Sequence, residues 1–170
     1  TGNVLLEEAV EIGVQETAGE LHDVLAQLGA RLIVEALAQW AGGRARAHPQ
    51  PHEGITYARK IDRAEARVDW TQPAVQIDRD IRAFNPWPAA ETRHHGETPK
   101  LLRSRLPVSP TVTAEPGTLL GLSGDALSVA CGEGVVEITE LQRAGRRAVS
   151  ARDFMNAERN ASGNGPLRWA

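Results

Sequence analysis

The side chains best suited to chemistry in this sequence are basic, and most of them lie in its later part. The chain of 170 residues contains 19 lysines and arginines, of which Arg31, Arg44 and Arg46 precede residue 57. Arginine suits phosphate because its planar guanidinium donates paired hydrogen bonds to two oxygens. Basic side chains that meet in one groove would bind a sugar–phosphate backbone. The candidates are Lys60, Arg63, Arg67, Arg79, Arg82, Arg146 and Arg147.

These candidates form three groups along the chain. The first three follow a polar linker. Arg79 and Arg82 are three residues apart, a spacing that places both on the outward face of a predicted helix. Arg146 and Arg147 share with Arg143 a glycine-containing turn after the last long strand.

The same arginines have a simpler explanation, which is pairing with nearby carboxylates. The net charge is only −3, and Glu65, Asp69, Asp78 and Asp80 lie among the basic residues. Paired charges of this kind would solubilise the domain without binding anything. Composition and spacing alone favour this second explanation.

No nucleophile with an adjacent base is evident, and no metal-binding set. His94 and His95 are neighbours, and neighbouring strand residues point to opposite faces, so we expect two exposed histidines that do not share an ion. Asp78 and Asp80 are expected to pair with arginine or solvent. Cys131 lies in a strand pattern and is expected to behave as a small apolar residue. The sequence therefore predicts no catalytic residue and no metal site.

Regular patterns in residues 57–170 predict the elements that position the basic groups. Pro73–Phe84 reads as an amphipathic helix, because its apolar residues recur at three- and four-residue steps. Ser150–Asn156 predicts a short helix with Ser150 as its N-cap. Five short strands with one main helix are typical of a small, partly open OB-like β-barrel. The predicted strands are Glu91–His94, Lys100–Leu106, Thr118–Leu122, Ala126–Cys131 and Val135–Leu141.

The segment Ala83–Pro88 predicts a sharp corner after that helix. Each proline fixes its own φ and drives the residue before it out of the helical region, so Asn85 and Trp87 are both expected to be extended. The helix must therefore end near Phe84. The indole of Trp87 would serve either as a plug in the core or as a platform on the surface.

The earlier part of the chain predicts a hairpin and a helix. Val4–Leu6 and Ala9–Ile12 read as short strands around a turn. Thr17 and Glu20 match a capping box, and apolar residues then recur at helical spacing to about residue 41, although Gly29 could divide the helix. A hairpin and a helix cannot bury an apolar face by themselves.

These patterns predict three regions. Residues 1–42 are expected to be the end of a larger domain, 43–56 a linker, and 57–170 the OB-like domain.

Apolar content of 41% and charged content of 24% are ordinary for a soluble protein. No apolar run approaches the ~18 residues of a membrane span. A single cysteine cannot form an internal disulfide, which is typical of a reduced, cytoplasmic protein. We expect a monomer.

The sequence resembles the C-terminal part of methionyl-tRNA formyltransferases from Thr1 to about Asn156. Several segments carry the resemblance in the same order. They are Thr1–Gly2, Leu21–Leu28, Thr56–Lys60, Glu65–Trp70, Arg82–Pro88, Pro116–Thr118, Leu141–Arg147 and Ser150–Phe154. The tail from Ala161 departs from the pattern.

The resemblance implies a two-domain enzyme. An N-terminal Rossmann-like domain, of which residues 1–42 would be the end, transfers a formyl group from 10-formyltetrahydrofolate to initiator methionyl-tRNA, and an OB-like domain helps to hold the tRNA. The family's catalytic asparagine and histidine lie upstream of Thr1, and its catalytic aspartate precedes the Thr1–Gly2 remnant of an Asp-Thr-Gly motif. The implied partners are the tRNA and the missing N-terminal domain. We expect this chain to bind no cofactor and to be inactive alone.

Three alternatives remain. The first is the C-terminal part of a sugar-nucleotide formyltransferase, which the Gln142–Arg147 turn disfavours because it resembles the tRNA enzyme. The second is a domain that packs on its catalytic partner and touches no nucleic acid. The third is an independent module for single strands, which the low aromatic content of 4% disfavours.

Overall fold

The computed structural model describes residues 2–108, 112–161 and 168–170. Their contacts divide the chain into two compact units, Thr1–Ile61 and Asp62–Ala170. The division lies a few residues after the predicted boundary at 57, so Lys60 belongs to the first unit. Across the described ranges, no helix combines the length and hydrophobicity that a membrane span requires.

The first unit is built around one long helix, α1, Ala18–Ala41. The predicted capping box is present. The Thr17 hydroxyl accepts a hydrogen bond from the Glu20 amide at 3.3 Å, and the Glu20 carboxylate accepts one from the Thr17 amide at 2.9 Å. The helix continues through Gly29, so the division that this glycine could have caused does not occur. One internal glycine costs a helix only ~1 kcal/mol, which is too little to break it.

Most apolar side chains of α1 are exposed. Val34, Leu37 and Trp40 are 67%, 61% and 68% exposed, and Ala36 is the buried residue of this helix. The helix therefore has an apolar face that the rest of the first unit leaves exposed.

The predicted N-terminal hairpin is wrong. Val4 instead forms an isolated antiparallel bridge with His48, through two backbone hydrogen bonds of 2.8 Å. Residues 5–12 have no strand assignment. The residue pattern of this segment is compatible with a strand, but a strand needs a partner. The partner of Val4 is His48, which lies in the predicted linker and not in a neighbouring strand.

The second unit contains a six-stranded antiparallel sheet among its described residues. Its strands are β1 Ala90–Glu91, β2 Lys100–Arg105, β3 Leu119–Ser123, β4 Ala126–Ala130, β5 Val135–Gln142 and β6 Ala148–Ser150. The order is β1-β2-β5-β4-β3. On the edge of β5 opposite β2, β4 pairs with the first half of β5 and β6 with the second.

Two helices complete the core of the second unit. Helix α2, Ala74–Phe84, buries Ile77 and Ile81 against β1, β2 and β5. Helix α3, Ala151–Ala161, packs against β3, β4, β5 and β6 and buries Phe154. Both helices contribute to one apolar cluster with the strands between them. The fold is therefore mixed, with helices packed on an antiparallel sheet.

The corner predicted after α2 is present. The helix ends at Phe84, and the Asn85 side chain donates a hydrogen bond of 2.6 Å to the Leu102 carbonyl. The peptide bonds before Pro86 and Pro88 are both cis. Trp87 is 54% exposed, so its indole lies on the surface and does not plug the core.

The last residues of the chain return to the core. Trp169 is 1% exposed, and its ring lies 5.5 Å from that of Trp70. Its amide donates to the Gly117 carbonyl at 2.9 Å, and Ala170 exchanges two backbone hydrogen bonds with Arg93. Gly117 has φ +84°, and a Cβ there would lie 2.2 Å from the Trp169 carbonyl oxygen. Glycine is therefore required where the tail crosses the turn before β3.

Candidate nucleic-acid interface

The turn between β5 and β6 presents Arg146 and Arg147 to solvent. The Gln142 side chain donates to the Arg146 carbonyl at 2.7 Å, and the Arg146 amide donates to the Arg143 carbonyl at 3.1 Å. Gly145 adopts φ +69°, a conformation that glycine tolerates. These contacts fix the backbone of the turn, so the two arginines project from a defined position.

Beside this turn lies a groove of about 460 Å³, which we call the arginine groove. Its lining includes Arg143, Arg146 and Arg147 from the turn and Asp153, Phe154 and Ala157 from α3. The N-terminus of α3 is capped by Ser150, whose hydroxyl accepts a hydrogen bond from the Asp153 amide at 3.1 Å. That cap, predicted from the sequence, places the first turn of α3 along one wall of the groove.

The arginines of the groove differ in their partners. Arg146 and Arg147 are exposed, and neither forms an ion pair with any residue in the described part of the chain. Arg143 is instead paired twice. Its Nη1 lies 3.2 Å from Glu97, and its Nη2 binds Glu158. Two charges of the groove are therefore available for an anion, and the third is already neutralised.

Arg143 is also held by an aromatic ring. The central carbon of its guanidinium lies over Phe154, 4.8 Å from the ring centroid. The Arg143 side chain keeps 29% of its surface exposed. Glu158 is buried and its second oxygen lies 2.8 Å from His94 Nε2. A chain of contacts thus runs from the groove into the core.

The expectation that His94 and His95 are exposed strand residues facing opposite sides is wrong for His94. The strand stops at Glu91, and the chain then turns, with positive φ at His95 and Gly96. His94 is buried, His95 is exposed, and their ring centroids are 4.4 Å apart. The rule of alternation fails because these residues are not in an extended strand.

His94 is held neutral in this setting. Burial and the nearby positive charges of His95 and Arg143 lower its pKa from 6.5 to about 4, although Glu97 opposes the shift. Its Nδ1 is buried without a hydrogen-bond partner among the residues described. His94, His95 and Glu158 each offer a ligand atom within 4.8 Å of the others. Because the Glu158 oxygens already bind His94 and Arg143, we assign no metal to this cluster.

The other candidate arginines lie on different elements. Arg63 belongs to a short 3-10 helix, Arg63–Ala66, and Arg67 follows it. Arg79 is exposed on α2. Arg82 is expected on the outward face of this helix, but its side chain is only 17% exposed and its Nε lies 3.1 Å from the buried Asp78. The ion-pair explanation therefore holds for Arg82.

Two other acidic residues near these arginines, Asp69 and Asp80, bind neutral side chains in the described contacts. Asp69 accepts hydrogen bonds from Thr71 and Gln72, which lower the pKa of its carboxyl. Asp80 accepts one from Gln76, while partial burial raises its pKa.

Sequence reasoning misses the special position of Arg143. The pattern marks Arg143 only as a neighbour of Arg146 and Arg147, because its partners Glu97 and Glu158 are distant in sequence. The strand β6, which closes the turn, is also absent from the predicted elements. Cys131 behaves as the expected small apolar residue. It is buried, and burial raises the pKa of its thiol to about 11, so the thiol stays protonated.

Most of the chain is similar to known proteins. Residues 60–159 match the family described as formyl transferase, C-terminal domain. A methionyl-tRNA formyltransferase of Xanthomonas campestris pv. campestris (strain 8004) is 48% identical over 161 residues, which cover 94% of this chain and 52% of the relative. One of Dinoroseobacter shibae (strain DSM 16493 / NCIMB 14021 / DFL 12) is 53% identical over 155 residues, or 91% of this chain and 49% of the relative. The chain thus spans about half the length of these curated relatives.

Among solved structures, a variant of HypX from Aquifex aeolicus aligns with a TM-score of 0.69. It is 19% identical, and the alignment covers 91% of this chain and 28% of that one. At this identity the likeness concerns the fold.

Proposed function

Because this chain belongs to the methionyl-tRNA formyltransferase family, as its C-terminal portion, we propose that its second unit holds the backbone of a tRNA. The substrate is initiator methionyl-tRNA, and the formyl donor is 10-formyltetrahydrofolate. In this proposal residues 1–42 are the end of a Rossmann-like catalytic domain, and the sheet of the second unit is an OB-like barrel. The whole protein works in the cytoplasm as a monomer.

The observation that carries this proposal is the pair Arg146 and Arg147. Both are exposed on a turn whose backbone is fixed, and both lack a carboxylate partner in the described contacts. Unpaired arginines beside a groove attract phosphate, since the guanidinium fork matches its oxygens. Within the second unit, Arg63, Arg67 and Arg79 would add contacts to the tRNA backbone, whereas Arg82 would add least. Lys60 is a candidate contact of the first unit, considered by itself.

The chemistry of formyl transfer lies outside this chain in the same proposal. Of the groups near the arginine groove, His94 and Glu158 are buried and bound to each other. A general base must reach the proton that it removes, and neither group reaches solvent. The chain would contribute binding, and the part of the relatives that it does not span would contribute catalysis.

Charge reversal tests the proposal. The double variant R146E/R147E should bind both initiator and elongator tRNA more weakly, because hydrogen bonds to phosphate carry no base information. The log–log dependence of affinity on salt should become shallower by roughly 0.7 to 0.9 for each phosphate that the variant no longer neutralises. Fluorescence anisotropy with the whole chain measures both quantities.

The control is R44E/R46E, which changes the net charge equally at two exposed arginines outside the candidate set. Equally weakened binding by both double variants would show a response to net charge alone, and the groove assignment would fail. Unchanged binding by R146E/R147E would reject tRNA binding at this turn and favour a domain that only packs on its catalytic partner. A sugar-nucleotide substrate is disfavoured because the relatives named above are methionyl-tRNA formyltransferases.

A further inference from the structure

Arg143 occupies a position that charge alone does not explain. Glu97 from the turn after β1 and Glu158 from α3 bind its two terminal nitrogens. Two carboxylates on one guanidinium leave it with no net positive charge to offer an anion. Arg143 is therefore a poor phosphate ligand compared with Arg146 and Arg147.

What Arg143 does offer is a flat surface in a fixed position. Its edges are held by the two carboxylates, and Phe154 lies on one side of it. Glu158 is held in turn by His94 at 2.8 Å, so the support extends into the core. Since 29% of the side chain is exposed and Arg143 lines the arginine groove together with Phe154, part of the Arg143 side chain is accessible from the groove.

We propose that Arg143 is a stacking platform for one unpaired nucleobase of a bound RNA. This inference rests on the proposed function and specifies the ligand of the arginine groove. Unpaired bases stack on guanidinium planes as well as on aromatic rings. The groove volume of about 460 Å³ lies within the range of small-ligand pockets, roughly 300 to 1,000 Å³, and so has room for a nucleoside.

The charges around the groove set the orientation of this nucleotide. Its phosphate lies at the Arg146 and Arg147 end, where positive charge is not neutralised. Its base lies toward α3, where Asp153 would repel phosphate but can accept a hydrogen bond from a base. A base inside a duplex cannot enter, because its faces are covered by its neighbours. The groove therefore selects a single-stranded nucleotide, as in a loop or at an end.

The test uses short RNA probes and the whole chain. One probe is a single-stranded RNA, and the second is the same strand with abasic riboses, which keeps every phosphate and removes the bases. The intact strand should bind roughly five- to tenfold tighter, which is the lower end of the contribution of one stacked base. Equal affinity for the two probes would overturn the proposal.

Variants locate the effect. Arg143→Lys keeps the charge and removes the plane, so it should lower the affinity for the intact strand to that of the abasic strand. Ala157→Leu places a larger side chain in the groove from α3 while every residue that binds Arg143 is kept, and it should do the same. The control is Asn156→Leu, at an exposed neighbour on α3 outside the groove lining, which should bind as the parent does. Circular dichroism checks that each variant is folded.

The outcomes separate the two proposals. If R146E/R147E weakens both probes while Arg143→Lys and Ala157→Leu leave the preference for the intact strand unchanged, backbone binding stands and stacking on Arg143 is rejected. If R146E/R147E binds both probes as the parent does, the proposed function itself fails. A preference that disappears in both groove variants supports the platform.

Discussion

Lowering the pH should destabilise the second unit through one buried histidine. His94 has its pKa lowered to about 4 in the folded protein, whereas the unfolded chain should titrate with a pKa near 6.5. The Glu158 carboxylate favours the protonated form of His94, but this carboxylate is shared with Arg143. A proton on His94 Nδ1 would also be buried without an acceptor among the described residues. Burial and neighbouring positive charge therefore prevail.

The direction and size of the effect follow from these two values. Between pH 6.5 and 4 the unfolded state takes up a proton that the folded state does not, so stability present above pH 6.5 is lost as the pH falls. The free energy of unfolding should decrease by about 2 kcal/mol at pH 5 and about 3 kcal/mol at pH 4, relative to pH 7.5. Well below pH 4 both states are protonated, and this contribution levels off.

The assay is urea unfolding at several pH values, followed on resolved amide NMR signals of β5. The control is His94→Gln, which can still donate to Glu158 but does not titrate. The other histidines and all carboxylates are common to both proteins, so the difference between their pH profiles isolates His94. Parallel profiles from pH 7.5 to 5 would refute the reasoning, as would a His94 titration by NMR near pH 6.5.

Three further results are expected. Gly117→Ala should cost about 2 kcal/mol or more in unfolding free energy, since a left-handed residue alone costs roughly 1 to 2 kcal/mol and the new Cβ meets the Trp169 carbonyl. Gly124→Ala, with φ +64° and open space around it, is the matched control, and equal destabilisation would argue against the clash. Trp169→Ala should cost about 3 to 5 kcal/mol in the same urea experiment, and a cost under 1 kcal/mol would show that the tail is dispensable. The whole chain should show no formyl transfer from 10-formyltetrahydrofolate to charged tRNA, and turnover that persists through purification would contradict the proposed division of labour.

Much of the second unit could be predicted because its signals are local. The helical spacing before Phe84, the two prolines after it and the Ser150 cap fix where α2 ends and α3 begins. Strands β2 to β5 lie within about a residue of their predicted bounds, since turn residues separate them. Strand β6 escapes prediction because its three residues become a strand only by pairing with the second half of β5, which no local pattern encodes.

The arginine groove is less predictable from the sequence, because its contacts join residues that are distant along the chain. Exposure of Arg146 and Arg147 follows from a polar turn with glycine, which the sequence displays. The roles of Arg143 and His94 depend on Glu97 and Glu158, which approach only after the sheet has formed. The error on His94 came from assuming an extended chain through His95, where the backbone in fact turns.

The return of Trp169 to the core has a consequence for synthesis on the ribosome. Helix α1 forms by local contacts and can appear as soon as its residues emerge. The second unit cannot complete its core until residue 169 has been made and released from the exit tunnel, because Trp169 packs against Trp70 and lies beside Gly117. During elongation, at roughly 5 to 20 residues per second, the nascent sheet lacks the ring that packs on one side of Trp70, and chaperones would meet the protein in that state.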